Sequence, residues 1–218
     1  MARLLLLRHA ESEWNAQGRW QGWADPPLTA HGVRQAEEAA AKLRAEGLTA
    51  VVASDLQRAR RTAAVAAQAL GIEDPVHIEP GLREYDVGVW SGLSRPEIQS
   101  RWPGELDDWR HGRSHSTPGG EAYEGFVARI LGALRRTAQT FADHRTLVVT
   151  HGGVIGAIER QLGSAIRRHP HLSGRWLEVE EHEVRCGAEV DLLDARPNTP
   201  RTQRDALGET NEADDLPR

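Results

Sequence analysis

The 218-residue chain has a single cysteine, Cys186, so it can form no intramolecular disulfide and offers no cysteine-based zinc site. A reducing compartment, the cytoplasm, is the expected location. The chain also lacks a basic excess. Its 27 Lys and Arg are outnumbered by 32 Asp and Glu, for a formal net charge of -5, which excludes a general attraction to nucleic acid and makes any anion site a local one. No stretch is apolar enough for long enough to span a bilayer. The leucines at 4 to 7 are too few for a signal-peptide core and run straight into charged residues, so no membrane association is expected. There is no internal repeat. What remains, 39% hydrophobic and 27% charged residues, is the composition of a globular protein, and the length suits one large α/β domain.

The pattern along the chain is one of short apolar runs alternating with helical stretches. Residues 3 to 8 read as a buried strand. "LTAHGVRQAEEAAAKLRAEG" reads as a helix capped by Thr29 and stopped at Gly47. The strand "TAVVAS" follows, then a helix capped by Ser54 and running to Gly71, then a strand "PVHIE". Gly81 to Gly120 holds seven glycines and little periodicity, which predicts a long functional loop with one short helix near Arg95 to Arg101. A helix over about Ala122 to Asp143, the strand "TLVVT" and a helix from Val154 to Gly163 complete the alternation. "RWLEVE" and "EVDLL" have the period of an antiparallel edge pair. Strands alternating with helices imply a mostly parallel sheet covered on both faces. From Arg196 the chain is polar with nothing to bury; we expect a domain over 1–195 and a disordered tail over 196–218.

In open α/β sheets ligands bind beyond the carboxyl ends of the strands. Here the first strand ends in Arg8-His9, the second leads to Arg58 one turn into its helix, and "TLVVT" runs into His151-Gly152-Gly153. Taken singly, each histidine is more often a structural hydrogen-bonding residue and each arginine a solvated one. Together, two imidazoles and two guanidiniums at neighbouring strand ends repel one another unless an anion sits among them. Guanidinium forks and helix N-termini both suit phosphate. A metal is the competing reading of paired histidines, but it needs a third ligand and does not welcome two arginines.

"LLLLRHAESEWN", "SDLQRARRTA", "LREYDVGVWSG" and "VVTHGG", in this order, resemble the four signature segments of the histidine phosphatase superfamily, in its phosphoglycerate-mutase-like branch, over roughly residues 3 to 160. The resemblance implies a phosphoglycerate mutase-like, three-layer αβα sandwich. It implies that His9 is the nucleophile, transiently phosphorylated, with Arg8, Arg58 and His151 around the phosphoryl group. Glu84 would donate the proton to the leaving oxygen and later activate water. The implied substrate-binding set is Arg8, Asn15, Gln21, Gly22, Arg58, His151 and Gly152. No metal or cofactor is implied; the partner is a small phosphorylated metabolite, and a homodimer is the assembly envisaged. His9 must be neutral to attack, which its cationic neighbours favour.

Departures from the family pattern bear on substrate. The third residue of the first motif is Ala10 in place of glycine, so the loop must keep an ordinary backbone angle there. After Glu84, where mutases carry an arginine, stand Tyr85 and Asp86, and the basic insertion of the primed mutases is absent before "GGE". Both favour a phosphatase over a mutase, with Arg110 in "DDWRHGR" as the opposing hint. A third reading is a phosphate-ligand binding protein without turnover. Trp14, Trp20, Trp23, Trp90, Trp102 and Trp109 fall in loops near the active edge, either anchoring those loops or walling a cleft. Ser12 and Glu13 have no assigned role, and the family's Asn-x-Ser strand entry is not found after the last helix.

Overall fold

The run of leucines near the start forms β1 (Ala2–Arg8), an interior strand of a six-stranded sheet. In the computed structural model, which describes residues 1–165, 169–180 and 183–193, the elements follow as α1 (Glu13–Ala16), α2 (Ala30–Leu43), β2 (Ala50–Ala53), α3 (Gln57–Leu70), β3 (His77–Ile78), α4 (Arg95–Arg101), α5 (Glu105–Arg110), α6 (Tyr123–Thr140), β4 (Arg145–Thr150), α7 (Gly152–Gln161), β5 (Ser173–Val179) and β6 (Val184–Asp191). The strand order is β3-β2-β4-β1-β5-β6, with the first four parallel and β5 antiparallel to both β1 and β6. The tail expected over 196–218 lies outside the described residues.

Register turns the apolar runs into two cores. Leu5, Leu147 and Val51 lie side by side across β1, β4 and β2, as do Leu6, Val148 and Val52 one residue on. Side chains alternate faces along a strand. Leu4, Leu6, Val52 and Val148 therefore pack with Phe126 and Ile130 of α6 and Val154 and Ile158 of α7. Leu5, Leu7, Val51 and Leu147 pack with Ala36 and Ala39 of α2 and Ala59 and Ala63 of α3. Continuous rather than alternating hydrophobicity follows directly from burial on both faces. The result is the three-layer αβα architecture expected.

Local signals hold at several ends. Thr29 caps α2 by accepting from the Gly32 N–H, and Gly47 and Gly71 take left-handed angles, φ 62° and 68°. Three expectations need correction. Ser54 is not the cap of α3; the helix starts at Gln57, with Leu56 at the cap position and no side-chain cap bond, and the Ser54 hydroxyl lies against His151. "PVHIE" yields only two strand residues, His77 and Ile78, on the outer edge. The region from Gly81 to Gly120 holds a second short helix, α5, besides α4. The C-terminal segments form the antiparallel pair expected, with β6 at the outer edge and β5 tied to β1 along Ala2 to Leu7.

Candidate active site

β1, β2 and β4 all end at one edge of the sheet, and β5 begins there, since Gly174 pairs with Leu7. The His9 N–H donates to the Thr150 carbonyl at 3.0 Å, one step past the ladder, which sets His9 beside His151. Their ring centroids are 5.2 Å apart at 65°. His9 Nδ1 lies 2.7 Å from the Ala10 carbonyl oxygen. A carbonyl only accepts, so Nδ1 carries the hydrogen and Nε2 keeps its lone pair. Ala10 is buried, donates its N–H to Thr62 Oγ1 at 3.1 Å, and is not among the residues with positive φ. Its methyl group needs no special backbone.

Burial, followed by the charges of Arg58, His151, Arg8 and His171, holds the His9 pKa well below the usual imidazole range. Burial and then Arg58, Arg129 and Arg8 do the same for His151. Ser54 Oγ accepts weakly from the Leu56 N–H at 3.4 Å and lies 2.9 Å from His151 Nε2. The hydroxyl has one hydrogen and two lone pairs, so it meets Nε2 in either tautomer of His151. His151 Nδ1 is buried and has no hydrogen-bond partner among the described residues, and an oxyanion satisfies it when the ring hydrogen sits on Nδ1.

Arg58 is fully buried. Its Nη1 donates to the Ala24 carbonyl at 2.8 Å and its Nη2 to the Gly22 carbonyl at 2.9 Å, so the arginine also organises the loop that approaches from the first motif. Gly22 needs to be glycine: its φ is +50°, and a Cβ there would lie 2.8 Å from Val87 Cγ2 and 2.9 Å from the Val87 nitrogen. Ser12, without a role in the sequence, is the N-cap of α1; its Oγ and the Asn15 amide form a reciprocal capping box. Asn15 Oδ1 accepts from the Ser12 N–H at 3.1 Å, so the NH2 end of Asn15 is the end that can donate elsewhere. Gln21 is buried, with Oε1 2.8 Å from Ser12 Oγ.

Glu84 reaches the same edge from the loop after β3. Its Oε1 accepts from the Tyr85 N–H at 2.9 Å and its Oε2 from the Gly153 N–H at 3.0 Å, in the first turn of α7. Burial raises its pKa despite these two bonds and the nearby Arg58 and Arg8 charges. The Glu84 backbone is pinned too: its carbonyl accepts from Arg129 Nη2 at 2.7 Å and Trp23 Nε1 at 2.9 Å. Gly152 is buried as the first residue of α7. The structure thus brings all nine candidate positions to one edge.

Tyr85 does not line the site. Its ring is buried against Trp109 and Phe126, with centroids 4.7 and 5.3 Å away, and its hydroxyl donates to the Glu121 carbonyl. The position after Glu84 therefore removes a cation without adding a contact. Of the tryptophans, Trp20, Trp90 and Trp109 are core residues, whereas Trp23 is 41% exposed beside Arg83 and Arg129. The sequence reading missed Ser54, Thr62, Arg129 and the segment from His169 to His171. No group of three or more His, Cys, Asp or Glu is placed to hold a metal ion among the described residues, and no helix among them is long and apolar enough to cross a membrane.

Comparison with known proteins bears on this constellation. The family model described as histidine phosphatase superfamily (branch 1) matches residues 4–187. The chain is 38% identical over 165 residues to a 2,3-bisphosphoglycerate-dependent phosphoglycerate mutase of Methylobacterium radiotolerans, covering 72% of this chain and 78% of that one. Among solved structures it is similar to a mycobacterial glucosyl-3-phosphoglycerate phosphatase in complex with VO3, with a TM-score of 0.76 and 27% identity over 86% of this chain and 98% of that one. It is also similar to the alpha-ribazole phosphatase of Shigella flexneri, with a TM-score of 0.73 and 25% identity over 90% and 100% of the two chains.

Proposed function

Because the chain belongs to branch 1 of the histidine phosphatase superfamily, we propose that it is a phosphatase that hydrolyses a small phosphomonoester through a phosphohistidine on His9. The observation that carries this reading is geometric: His9, with its hydrogen on Nδ1 and its Nε2 lone pair available, stands beside His151 at the edge where the Gly153 N–H of α7 anchors the Glu84 carboxyl. Burial moves the His9 pKa down and the Glu84 pKa up, toward a base-form nucleophile and an acid-form donor. His9 Nε2 attacks phosphorus, the bond to the leaving oxygen breaks, and Glu84 gives that oxygen its proton. The Glu84 carboxylate then takes a proton from water as the water attacks phospho-His9, releasing inorganic phosphate and restoring both groups. Arg8, Arg58 and His151 stabilise the charge spread over the equatorial oxygens.

Water rather than a second phosphorylated metabolite is the acceptor we favour. No cation follows Glu84, and Arg83 before it is held by Asp55 through bonds of 2.5 to 3.0 Å. The mutase relative supports the second reading, interconversion of phosphoglycerates. We place the enzyme in the cytoplasm on its single cysteine. Hydrolysis of an aryl phosphate in EDTA, with a phosphoryl label that is acid-labile, base-stable and absent from His9→Ala, is the expected outcome. Interconversion of 3- and 2-phosphoglycerate with little hydrolysis would favour the mutase, and a label surviving in His9→Ala would move the nucleophile elsewhere.

A further inference from the structure

The fourth side of the site is built by the turn that enters β5. The His169 carbonyl accepts from Arg8 Nη1 at 2.7 Å, and His171 Nε2 lies 3.2 Å from Arg8 Nη2. The His171 ring is 6.1 Å from that of His9, centroid to centroid. Arginine nitrogens only donate, so His171 Nε2 is the acceptor and its ring hydrogen sits on Nδ1. One turn thus grips both terminal nitrogens of the guanidinium next to the candidate nucleophile.

The turn is held in place from three directions. Leu172 has φ 58°, the one non-glycine residue with positive φ among those described. Such a conformation persists where its surroundings impose it and tends to occur at functional sites. Here the Leu172 N–H donates to the Arg8 carbonyl at 3.1 Å, and the Leu172 carbonyl accepts from the Leu192 N–H at 3.1 Å. Ser173 Oγ closes the turn on the Pro170 carbonyl at 2.9 Å. Beneath it, His169 Nε2 pairs with the buried Glu159 of α7 at 3.0 Å, and Glu159 pairs with Arg175 of β5 at 3.0 Å. A buried, ion-paired carboxylate is a costly device on a surface turn and a reasonable one under a site that must not shift.

We propose that His171 is a positioning residue for phosphoryl transfer, acting by fixing the Arg8 guanidinium beside His9. The inference rests on the phosphoryl-transfer reading above. An arginine with several rotatable bonds would sample orientations that meet the phosphoryl oxygens poorly; an acceptor on each terminal nitrogen selects one orientation before substrate arrives.

The test uses the full chain with His171→Leu, which removes the acceptor, and His171→Gln, whose Oε1 can replace it. Binding of inorganic phosphate by calorimetry is measured alongside kcat/KM for an aryl phosphate and the melting temperature. For His171→Leu we expect phosphate affinity and kcat/KM to fall about 10- to 100-fold, the usual range for a bond to a charged group. His171→Gln should regain most of that loss, and the melting temperatures of both should stay close to that of the parent. In the background of His171→Leu, Arg8→Lys should cost less than it does alone, because the two act as one unit. Unchanged phosphate binding in His171→Leu, equal losses in the two His171 variants, or additive losses with Arg8→Lys would overturn the proposal. A parent protein that binds phosphate but does not turn over would overturn the phosphatase reading and leave the binding comparison readable; one that does neither would overturn both.

Discussion

Replacing Glu84 by glutamine keeps the shape of the side chain and removes its transferable proton. The carboxyl is buried and anchored by the N–H groups of Tyr85 at 2.9 Å and Gly153 at 3.0 Å. Gln can present an oxygen to only one of them, so the other N–H meets an NH2 group. That mismatch costs about 1–3 kcal/mol of stability, or a drop of roughly 2–12 °C in melting temperature at this chain length. The catalytic loss should be far larger for an alkyl phosphate: about 10²- to 10⁴-fold in kcat, or about 2.7–5.4 kcal/mol of barrier. For 4-nitrophenyl phosphate, whose leaving oxygen needs little protonation, the loss should shrink to about tenfold or less. Since the Glu84 pKa is raised, its proton is held at acid pH and released as pH climbs through the folded value. The parent should therefore lose kcat on the alkaline side and Glu84→Gln should lack that limb. Stopped assays of both substrates from pH 5 to 9 measure all of this. Equal losses for the two substrates, or an alkaline limb that persists in the variant, would refute the assignment of Glu84 as proton donor.

Gly22→Ala should destabilise the protein by about 2 kcal/mol or more, from positive φ together with a clash against backbone, and should lower kcat/KM because the Gly22 carbonyl is an acceptor for Arg58; an unchanged urea midpoint would contradict this. His9 and His151 both have folded pKa values depressed below the unfolded value of 6.5, so their contribution to stability is complete above pH 6.5 and is lost as pH falls toward the folded values. Lowering pH from 7.5 to 5.5 should therefore lower the stability of the parent. The fall in urea midpoint over that range should be shallower in His9→Gln. Glu84 acts in the opposite direction, and comparing parent with variant cancels it; parallel curves would show that His9 is not buried in its neutral form.

Much of the edge that carries Arg8, His9, Arg58 and His151 was legible in the sequence, since parallel strands buried on both faces announce themselves as apolar runs whose carboxyl ends share one side of the sheet. The helix signals at Thr29, Gly47 and Gly71 were equally local. What escaped notice depends on tertiary partners. Ser54 looks like a cap and serves His151, because a hydroxyl placed by the end of β2 is within reach of the end of β4. Tyr85 sits next to Glu84 in the chain and turns into the core, where its ring packs on Trp109 and Phe126. His169 and His171 were passed over because attention to carboxyl ends misses an antiparallel strand, which brings its entrance to that edge. A turn of the form His-Pro-His-Leu just before a period-2 segment was the available signal.

The place of β1 between β4 and β5 also has a bearing on how the protein is made. In synthesis β1 precedes both of its lateral partners by a long stretch of chain: β4 ends at Thr150 and β5 at Val179. At ordinary elongation speeds His9 waits on the order of 10 to 30 s before its neighbours exist. Pairings of such long sequence separation also form slowly, because the intervening chain must be closed into a loop first. During that interval Leu4 to Leu7 are an uncharged apolar run with both edges open, a segment that calls for shielding from other chains. A protein truncated before β5 would keep every signature segment, lack a partner along one whole side of its nucleophile strand, and pass that hazard on to the finished molecule.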